Sequence, residues 1–152
     1  MKANTASRTA QFMAFFRALE SKRPPATRLF EDPYASLFLD RGYKRLVRLS
    51  ALPLVQRIAN SIIQHRIPGA LASGVARTRY IDDLLRHCVS NGTKQVIILG
   101  AGFDTRALRL DFLKNIPVIE VDHPDTAKIK TGILDKALHK SPSNIHYLQP
   151  RF

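Results

Sequence analysis

Cysteine is almost absent from this sequence, since Cys88 is the single one among 152 residues. A lone cysteine cannot form a disulfide or a cysteine-based zinc site within the chain, which fits a reducing compartment. The five histidines show no metal-ligand spacing, so we expect no metal site. No apolar run reaches membrane-spanning length, and residues Met1–Thr5 lack the apolar core of a signal peptide. These absences predict a cytoplasmic protein with no membrane partner.

Acidic residues are also scarce, because 12 Asp and Glu stand against 24 Lys and Arg, a formal net charge of +12. The basic residues alternate with apolar residues at helical spacing and do not collect in one tail. The sequence has no RNA-recognition strand motif and no helix-turn-helix signature. Solvated helix faces are therefore favoured over nucleic-acid binding, which charge alone leaves as a minor alternative.

The most informative segment follows a short apolar run, Val96–Leu99. Its length and its termination by glycine are typical of a strand buried on both faces of a parallel sheet. Gly100 and Gly102 allow the backbone to turn sharply and to lie close to a ligand. Asp104 is the expected N-cap of a helix that starts at Thr105. A strand, a glycine turn and a helix N-terminus form the ligand-binding corner of a doubly wound α/β domain.

Two features of phosphate-binding turns are missing from this corner. Thr105 stands where a dinucleotide fingerprint has its third glycine, and no Gly-Lys-Ser/Thr sequence is present. Asp104 would also repel a pyrophosphate at the helix N-terminus. The turn therefore favours a ligand with a cationic or hydroxylated part, and a tight turn without any ligand is the alternative.

A second short apolar run, Val118–Val121, ends in acid. Asp122 lies about 20 residues beyond the glycines, where α/β folds place the acid that binds ribose hydroxyls. Glu120 lies on the same side by strand alternation and is a weaker candidate. Asp122 could also cap a helix that begins at Pro124, and the two roles are compatible.

Upstream of the glycine turn, a helix is expected to begin at Ser73 as its N-cap. Arg77 and Arg79 lie near its start, where the helix dipole does not favour a cation, so an anion could hold either of them. The helix presents an apolar, core-facing stripe formed by Ile81, Leu84, Leu85 and Cys88.

Three strings, Gly74–Asp83, Leu99–Arg106 and Glu120–Pro124, resemble the leucine carboxyl methyltransferase-like family. This is a branch of the class I S-adenosylmethionine-dependent methyltransferases that includes many bacterial proteins of unassigned substrate. The segment Leu29–Ala35 is similar to part of the helical cap of that branch. The resemblance covers nearly the whole chain and implies S-adenosylmethionine as the cofactor.

The resemblance also implies roles for the residues of the glycine turn. Gly100, Ala101 and Gly102 would pass under the methionine part of the cofactor. Asp104 would lie beside the cofactor's amino group or close the turn.

Outside the turn, the resemblance implies that Arg77 pairs with the cofactor carboxylate, a contact between charged groups. Asp122 would bind the ribose diol, with Glu120 as the weaker candidate. The cofactor's ammonium, sulfonium, carboxylate and diol agree with a site that lacks phosphate-binding features.

The fold that the resemblance implies is α/β. A helical N-terminal cap, residues 1–73, would precede the first half of a doubly wound, mainly parallel Rossmann-like sheet, residues 74–152. The family sheet has seven strands, and we expect this one to be truncated after the third. The predicted helices and strands are Ala6–Glu20, a short helix within Pro33–Leu39, Tyr43–Ala51, Leu54–His65, Gln95–Leu99, Val118–Val121, Thr126–His139 and Ile145–Leu148.

The expected reaction is O-methyl transfer to a carboxylate or hydroxyl of a small molecule or a protein. An incomplete sheet predicts that the chain alone is inactive and that it self-associates through the unpaired edge of the first strand. The alternative is an inert interaction module that kept the cap and the glycine turn. No catalytic residue can be named from the sequence.

Overall fold

The computed structural model describes residues 8–138 and 142–149 of the chain. These residues form an α/β structure in which helices precede and then alternate with the strands of one parallel sheet. The structure therefore confirms the α/β fold, in the form of a partial Rossmann-like domain preceded by a helical cap.

The cap is helical, and its elements are α1 (Arg8–Glu20), a 3-10 turn (Ala35–Phe38), α2 (Arg41–Leu49), α3 (Pro53–Arg66) and α4 (Ala70–Ser90). Asp40 caps α2, because its side chain accepts the Tyr43 N–H at 2.9 Å. Pro53 takes the first position of α3, where its missing N–H costs no helical hydrogen bond. No helix in residues 8–138 is both long and apolar enough to cross a membrane.

The helix α4 begins earlier than the sequence predicts. Gly69 stands at the N-cap with φ at 74°, a left-handed conformation, and Ser73 lies within the first helical turn. The prediction of Ser73 as N-cap is therefore wrong, because the turn at Gly69 lets the helix start directly at Ala70. The proposed division between residues 73 and 74 falls inside this one continuous helix.

The sheet consists of β1 (Val96–Leu99), β2 (Val118–Val121) and β3 (Ile145–Leu148), in that order and all parallel. This confirms the three predicted strands and their pairing. The crossovers contain α5 (Arg106–Arg109), a 3-10 turn (Asp111–Leu113) and α6 (Pro124–Leu138). Because the strands are parallel, all three carboxyl ends lie at one edge of the sheet, next to the cap.

Two groups of buried apolar residues hold these layers together. The sheet group lies around Val96, Leu113 and Val118. The cap group consists mainly of phenylalanine, leucine and alanine side chains, but it also includes Phe103 of the glycine turn and Leu134 of α6. The cap is therefore packed directly on the glycine turn and on α6.

The burial pattern differs from the prediction on β1 and α4. Ile97 and Leu99 are 57% and 77% exposed, so β1 is not buried on both faces. Leu84 is 47% exposed and Cys88 is half-buried, whereas Asp82 is buried. The predicted apolar stripe of α4 is thus only partly covered, because an acidic residue occupies part of the buried face.

We predict that Leu134→Ala lowers the free energy of unfolding by about 2–5 kcal/mol, because it leaves a cavity where α6 meets the cap. Leu54→Ala is the matched control, since Leu54 is 69% exposed and its loss should change stability by less than about 0.5 kcal/mol. Urea unfolding of both variants measures the difference. Equal effects would contradict the packing of α6 on the cap.

Candidate functional site

A cleft of about 700 Å³ lies at the carboxyl ends of β1 and β2. Its walls come from β1 and the glycine turn after it, from the cap helix α1 and the helix α4, and from Asp122 and Thr126 between β2 and the first turn of α6. In parallel α/β sheets, ligands bind at this end of the strands. The residues that line the cleft include Ala10, Arg17, Arg77, Gly100, Gly102 and Asp122.

The two glycines of the turn have different neighbours. Both have positive φ, 62° at Gly100 and 51° at Gly102, which disfavours any other residue. A Cβ added to Gly102 would lie 3.2 Å from the Cβ of Ala10 on α1, whereas one added to Gly100 would meet nothing within 4 Å. Gly102 therefore permits the close approach of α1, and Gly100 leaves open space beside the turn.

Two backbone hydrogen bonds hold the turn, one to β2 and one within the turn. Ala101 is buried, and its N–H donates to the carbonyl of Val121 at 3.2 Å. The Ala101 carbonyl in turn accepts the Asp104 N–H at 2.8 Å. Ala101 therefore ties the turn to β2, and its backbone groups are already bonded within the protein.

Asp122 connects the end of β2 to the glycine turn. One carboxylate oxygen accepts the Gly102 N–H, and the other accepts the His123 N–H at 2.6 Å. The helix α6 begins two residues later, at Pro124, which is two residues before the predicted start at Thr126. A carboxylate has about four acceptor positions, so the half-buried Asp122 can still accept hydrogen bonds from the hydroxyls of a ligand.

Glu120 lies away from the cleft. Its side chain is 4% exposed and contacts the Lys130 ammonium of α6 at 2.5 Å, and Lys130 itself is 2% exposed. Burial raises the pKa of Glu120, and the Lys130 charge offsets only part of that increase. The structure thus gives Glu120 a buried ion pair beneath α6, and it is absent from the residues that line the cleft.

Asp104 is not the N-cap of α5, because Thr105 occupies that position. The prediction was wrong by one residue, since the turn continues through Asp104 before the helix starts. The Asp104 carboxylate instead accepts the Arg106 N–H at 2.7 Å and pairs with the Arg106 guanidinium. Burial alone would raise the pKa of Asp104, but the positive charges of Arg106 and Arg17 lower it below the ordinary value of 3.8.

Arg77 and Arg79 differ in what holds them. Arg79 pairs with Asp83 at 2.7 Å and donates to the carbonyl of Leu29 at 2.6 Å. Arg77 is exposed and lines the cleft, and its side chain forms no hydrogen bond or ion pair with any residue in 8–138 or 142–149. Arg77 is therefore the cation at the cleft wall that is available to an anionic group.

The sequence analysis missed a buried ionic cluster beside the cleft. The Asp82 carboxylate of α4 forms ion pairs with Arg106 at 2.9 Å and with Arg109 at 2.7 Å, and so joins α4 to α5. A signal was present, because Val75, Thr78, Asp82 and Leu85 follow the three-and-four spacing of one helix face. An acid in that register predicts a buried cationic partner.

We predict that Asp104→Asn lowers the free energy of unfolding at pH 7 by about 1–3 kcal/mol, because it removes an acceptor that is charged and bonded to Arg106. A lowered pKa means that this contribution is present above 3.8 and is lost as the pH falls through the lowered value. Urea unfolding from about pH 7 to pH 3 should therefore show the two proteins converging in acid.

The control for this variant is Asp111→Asn, which removes an exposed carboxylate paired with Lys114. A surface pair contributes little, so its effect at pH 7 should be smaller than that of Asp104→Asn. A stability difference for Asp104→Asn that stayed constant down to pH 3 would exclude the charged contact as its cause.

Comparison with known proteins indicates the family to which this chain belongs. The family model for leucine carboxyl methyltransferase matches residues 10–150. A protein of Streptomyces coelicolor is 37% identical over 126 residues, which cover 83% of this chain and 42% of that protein. A Frankia alni protein is 37% identical over 127 residues, 84% of this chain and 41% of its own length.

A Rhodococcus jostii protein is 36% identical over 127 residues, 83% of this chain and 40% of its own length. All three relatives are named as candidate S-adenosyl-L-methionine-dependent methyltransferases. The chain thus spans about two fifths of the length of these curated relatives. On the strength of the match to residues 10–150, the chain belongs to the leucine carboxyl methyltransferase family.

Proposed function

We propose that this chain provides the S-adenosylmethionine-binding part of a methyltransferase. The observation that carries the proposal is the convergence of the glycine turn, Asp122 and Arg77 on one cleft at the carboxyl ends of β1 and β2. The family membership and the names of the relatives support the same cofactor.

The chemistry of the cofactor matches the groups at this cleft. Its carboxylate would pair with Arg77, whose guanidinium can form two parallel hydrogen bonds to a carboxylate. Its ribose diol would donate to Asp122, which lines the cleft and whose carboxylate has acceptor positions left. The backbone at Gly100 would lie closest to the methionine part, since no side chain fills that space.

The other two acidic candidates receive different proposed roles. Asp104 is engaged by Arg106, so we assign it to closing the turn, one of the two alternatives that the sequence left open. Glu120 is engaged by Lys130 beneath α6, so we assign it to the support of β2 and not to contact with the cofactor.

In the proposed reaction, the cofactor's sulfonium supplies an activated methyl group. The residues of this chain would hold the cofactor in a fixed orientation, so that an acceptor oxygen can be aligned behind the methyl carbon. We propose a carboxylate or hydroxyl acceptor on a small molecule or a protein, since a carboxylate acceptor needs no dedicated base. A reducing, cytoplasmic location would fit the single cysteine.

We propose that further polypeptide completes the acceptor side of the cleft. Within residues 8–138 and 142–149 no strand pairs with the outer edge of β1, and β1 itself forms part of the cleft wall. The relatives are more than twice as long as the matched region, so the rest of their length is available to form that wall. An inert interaction module would not require the cleft groups, and nothing in their arrangement favours it.

We predict that S-adenosylhomocysteine binds the chain and that Asp122→Asn weakens binding by about 1.5–3 kcal/mol, because it removes a charged acceptor. Arg77→Gln should weaken binding by a similar amount, because it removes the partner of the ligand carboxylate. Isothermal titration calorimetry measures both affinities, and thermal unfolding checks that the variants remain folded.

Two exposed residues outside the cleft provide matched controls for these variants. Asp125→Asn removes an exposed carboxylate three residues from Asp122, and Arg57→Gln removes an exposed arginine of the cap. Neither residue lines the cleft, so both controls should bind as tightly as the unaltered chain. Unaltered affinity in both test variants would refute this placement of the cofactor.

We predict that the 152-residue chain does not transfer methyl groups by itself and that it self-associates. The outer edge of β1 offers unpaired backbone groups beside the exposed Ile97 and Leu99, which favours pairing with another chain. Incubation with labelled cofactor and a mixture of carboxylate and hydroxyl acceptors measures transfer. Light scattering after gel filtration measures the mass. Turnover by a monodisperse monomer would contradict both expectations.

A further inference from the structure

A buried carboxylate in the cap, Asp32, lies behind the glycine turn and does not line the cleft. Its side chain is fully buried. Its Oδ2 accepts Arg17 Nε at 2.8 Å and the Thr105 hydroxyl at 2.6 Å. Its Oδ1 accepts the backbone N–H groups of Tyr34 at 3.1 Å and Ala35 at 2.9 Å. The carboxylate therefore accepts four hydrogen bonds, two from side chains and two from backbone N–H groups, and its acceptor positions are all used.

The first two partners connect Asp32 to both sides of the turn. Thr105 follows Asp104 directly, so the hydroxyl bond fixes the end of the turn where α5 begins. Arg17 reaches the other side, because its Nη2 donates to the carbonyl of Phe103 at 2.6 Å. One carboxylate oxygen thus fixes residues on both sides of Asp104.

The backbone partners provide a third connection. By accepting the N–H groups of Tyr34 and Ala35, Asp32 fixes the start of the 3-10 turn Ala35–Phe38. The ring of Phe38 in that turn stacks on Phe103, with centroids 4.8 Å apart and planes 13° from parallel. Asp32 therefore also places the aromatic ring that covers the glycine turn from the cap side.

The opposite side of the turn is held by Asp122, through the Gly102 N–H. The turn is thus fixed between two carboxylates, Asp122 at the end of β2 and Asp32 of the cap. These residues lie 90 positions apart in the sequence. The contact with α1 is close, since a Cβ on Gly102 would lie 3.2 Å from Ala10. A shift of the cap would therefore move the backbone that forms the floor of the cleft.

We propose that Asp32 is a positioning residue that holds the glycine turn, through Thr105 and Arg17, in the conformation that binds the cofactor. This side chain thus forms one of the connections between the cap and the cofactor cleft. The cofactor part of this inference rests on the proposed function, whereas the effect on the turn does not. Because coupling is reciprocal, an occupied cleft also stabilises the cap segment around Asp32.

The sharpest test removes one bond and leaves the packing nearly unchanged. Thr105→Val deletes the hydroxyl that bonds Asp32, while Thr105→Ser keeps a hydroxyl at that position. Ser50→Ala is the control for loss of a buried hydroxyl in the cap, because Ser50 is 1% exposed and its hydroxyl donates to the Val47 carbonyl of the preceding helix. Asp32→Asn is the more drastic companion variant.

Two measurements are made on each protein. Amide hydrogen exchange of the ligand-free chain reports the turn through the N–H groups of Gly102, Asp104 and Arg106. Calorimetry with S-adenosylhomocysteine reports the cleft. Thr105→Val should speed exchange at these three amides and weaken affinity by about tenfold, the factor for one hydrogen bond to a charged group. Thr105→Ser should restore both, and Ser50→Ala should change neither.

The outcomes separate this inference from the proposed function. Wild-type exchange at the three amides in Thr105→Val would overturn the inference, whatever the ligand does. Faster exchange with unchanged affinity would overturn the coupling to the cleft. Faster exchange in a chain that binds no S-adenosylhomocysteine would support the positioning of the turn and count against the proposed cofactor.

Discussion

The structure depends on a left-handed glycine turn that is held from two sides. Gly100 and Gly102 both take left-handed φ values, and the turn between β1 and α5 has no regular hydrogen-bond ladder of its own. Its shape is set by Asp122 at the end of β2 and by contacts from the cap. The position of this turn determines the shape of the cleft, the direction in which α5 starts and the surface on which α1 packs.

Several of the few acidic residues of this chain are buried and paired with cations. Glu20, Asp32, Asp82 and Glu120 are all buried, and each lies against an arginine or lysine. Buried charges cost desolvation free energy and are retained only where partners satisfy them. Several of the few carboxylates therefore serve as internal connections between elements, while most of the excess cations remain at the surface.

The sequence predicted local structure well and long-range structure poorly. The short apolar runs ended by glycine or acid located β1, β2 and β3, since periodicity and turn chemistry act over a few residues. The cleft residues Asp122 and Gly102 also followed from spacing, which the chain itself fixes.

What the sequence did not show depends on partners far along the chain. Arg17 meets Phe103 across 86 residues, and Thr105 meets Asp32 across 73, so no local pattern marks these pairs. The exposure of Leu99 was missed for a related reason, because a strand pattern indicates which faces are apolar but not what covers them. The N-cap errors at Ser73 and Asp104 arose because a neighbouring residue already set the turn.

The cap is therefore better understood as part of the cleft than as a separate lid. Ala10 and Arg17 of α1 line the same space as the glycine turn, and Phe38 covers the turn from behind. The turn residue Phe103 is buried in the cap's own apolar group, so neither side can be removed without exposing the other. Glycine adopts the left-handed conformation without strain, and the position of the turn is set by its contacts with Asp122 and Arg17. It follows that the cleft can form only when the cap has folded onto the sheet.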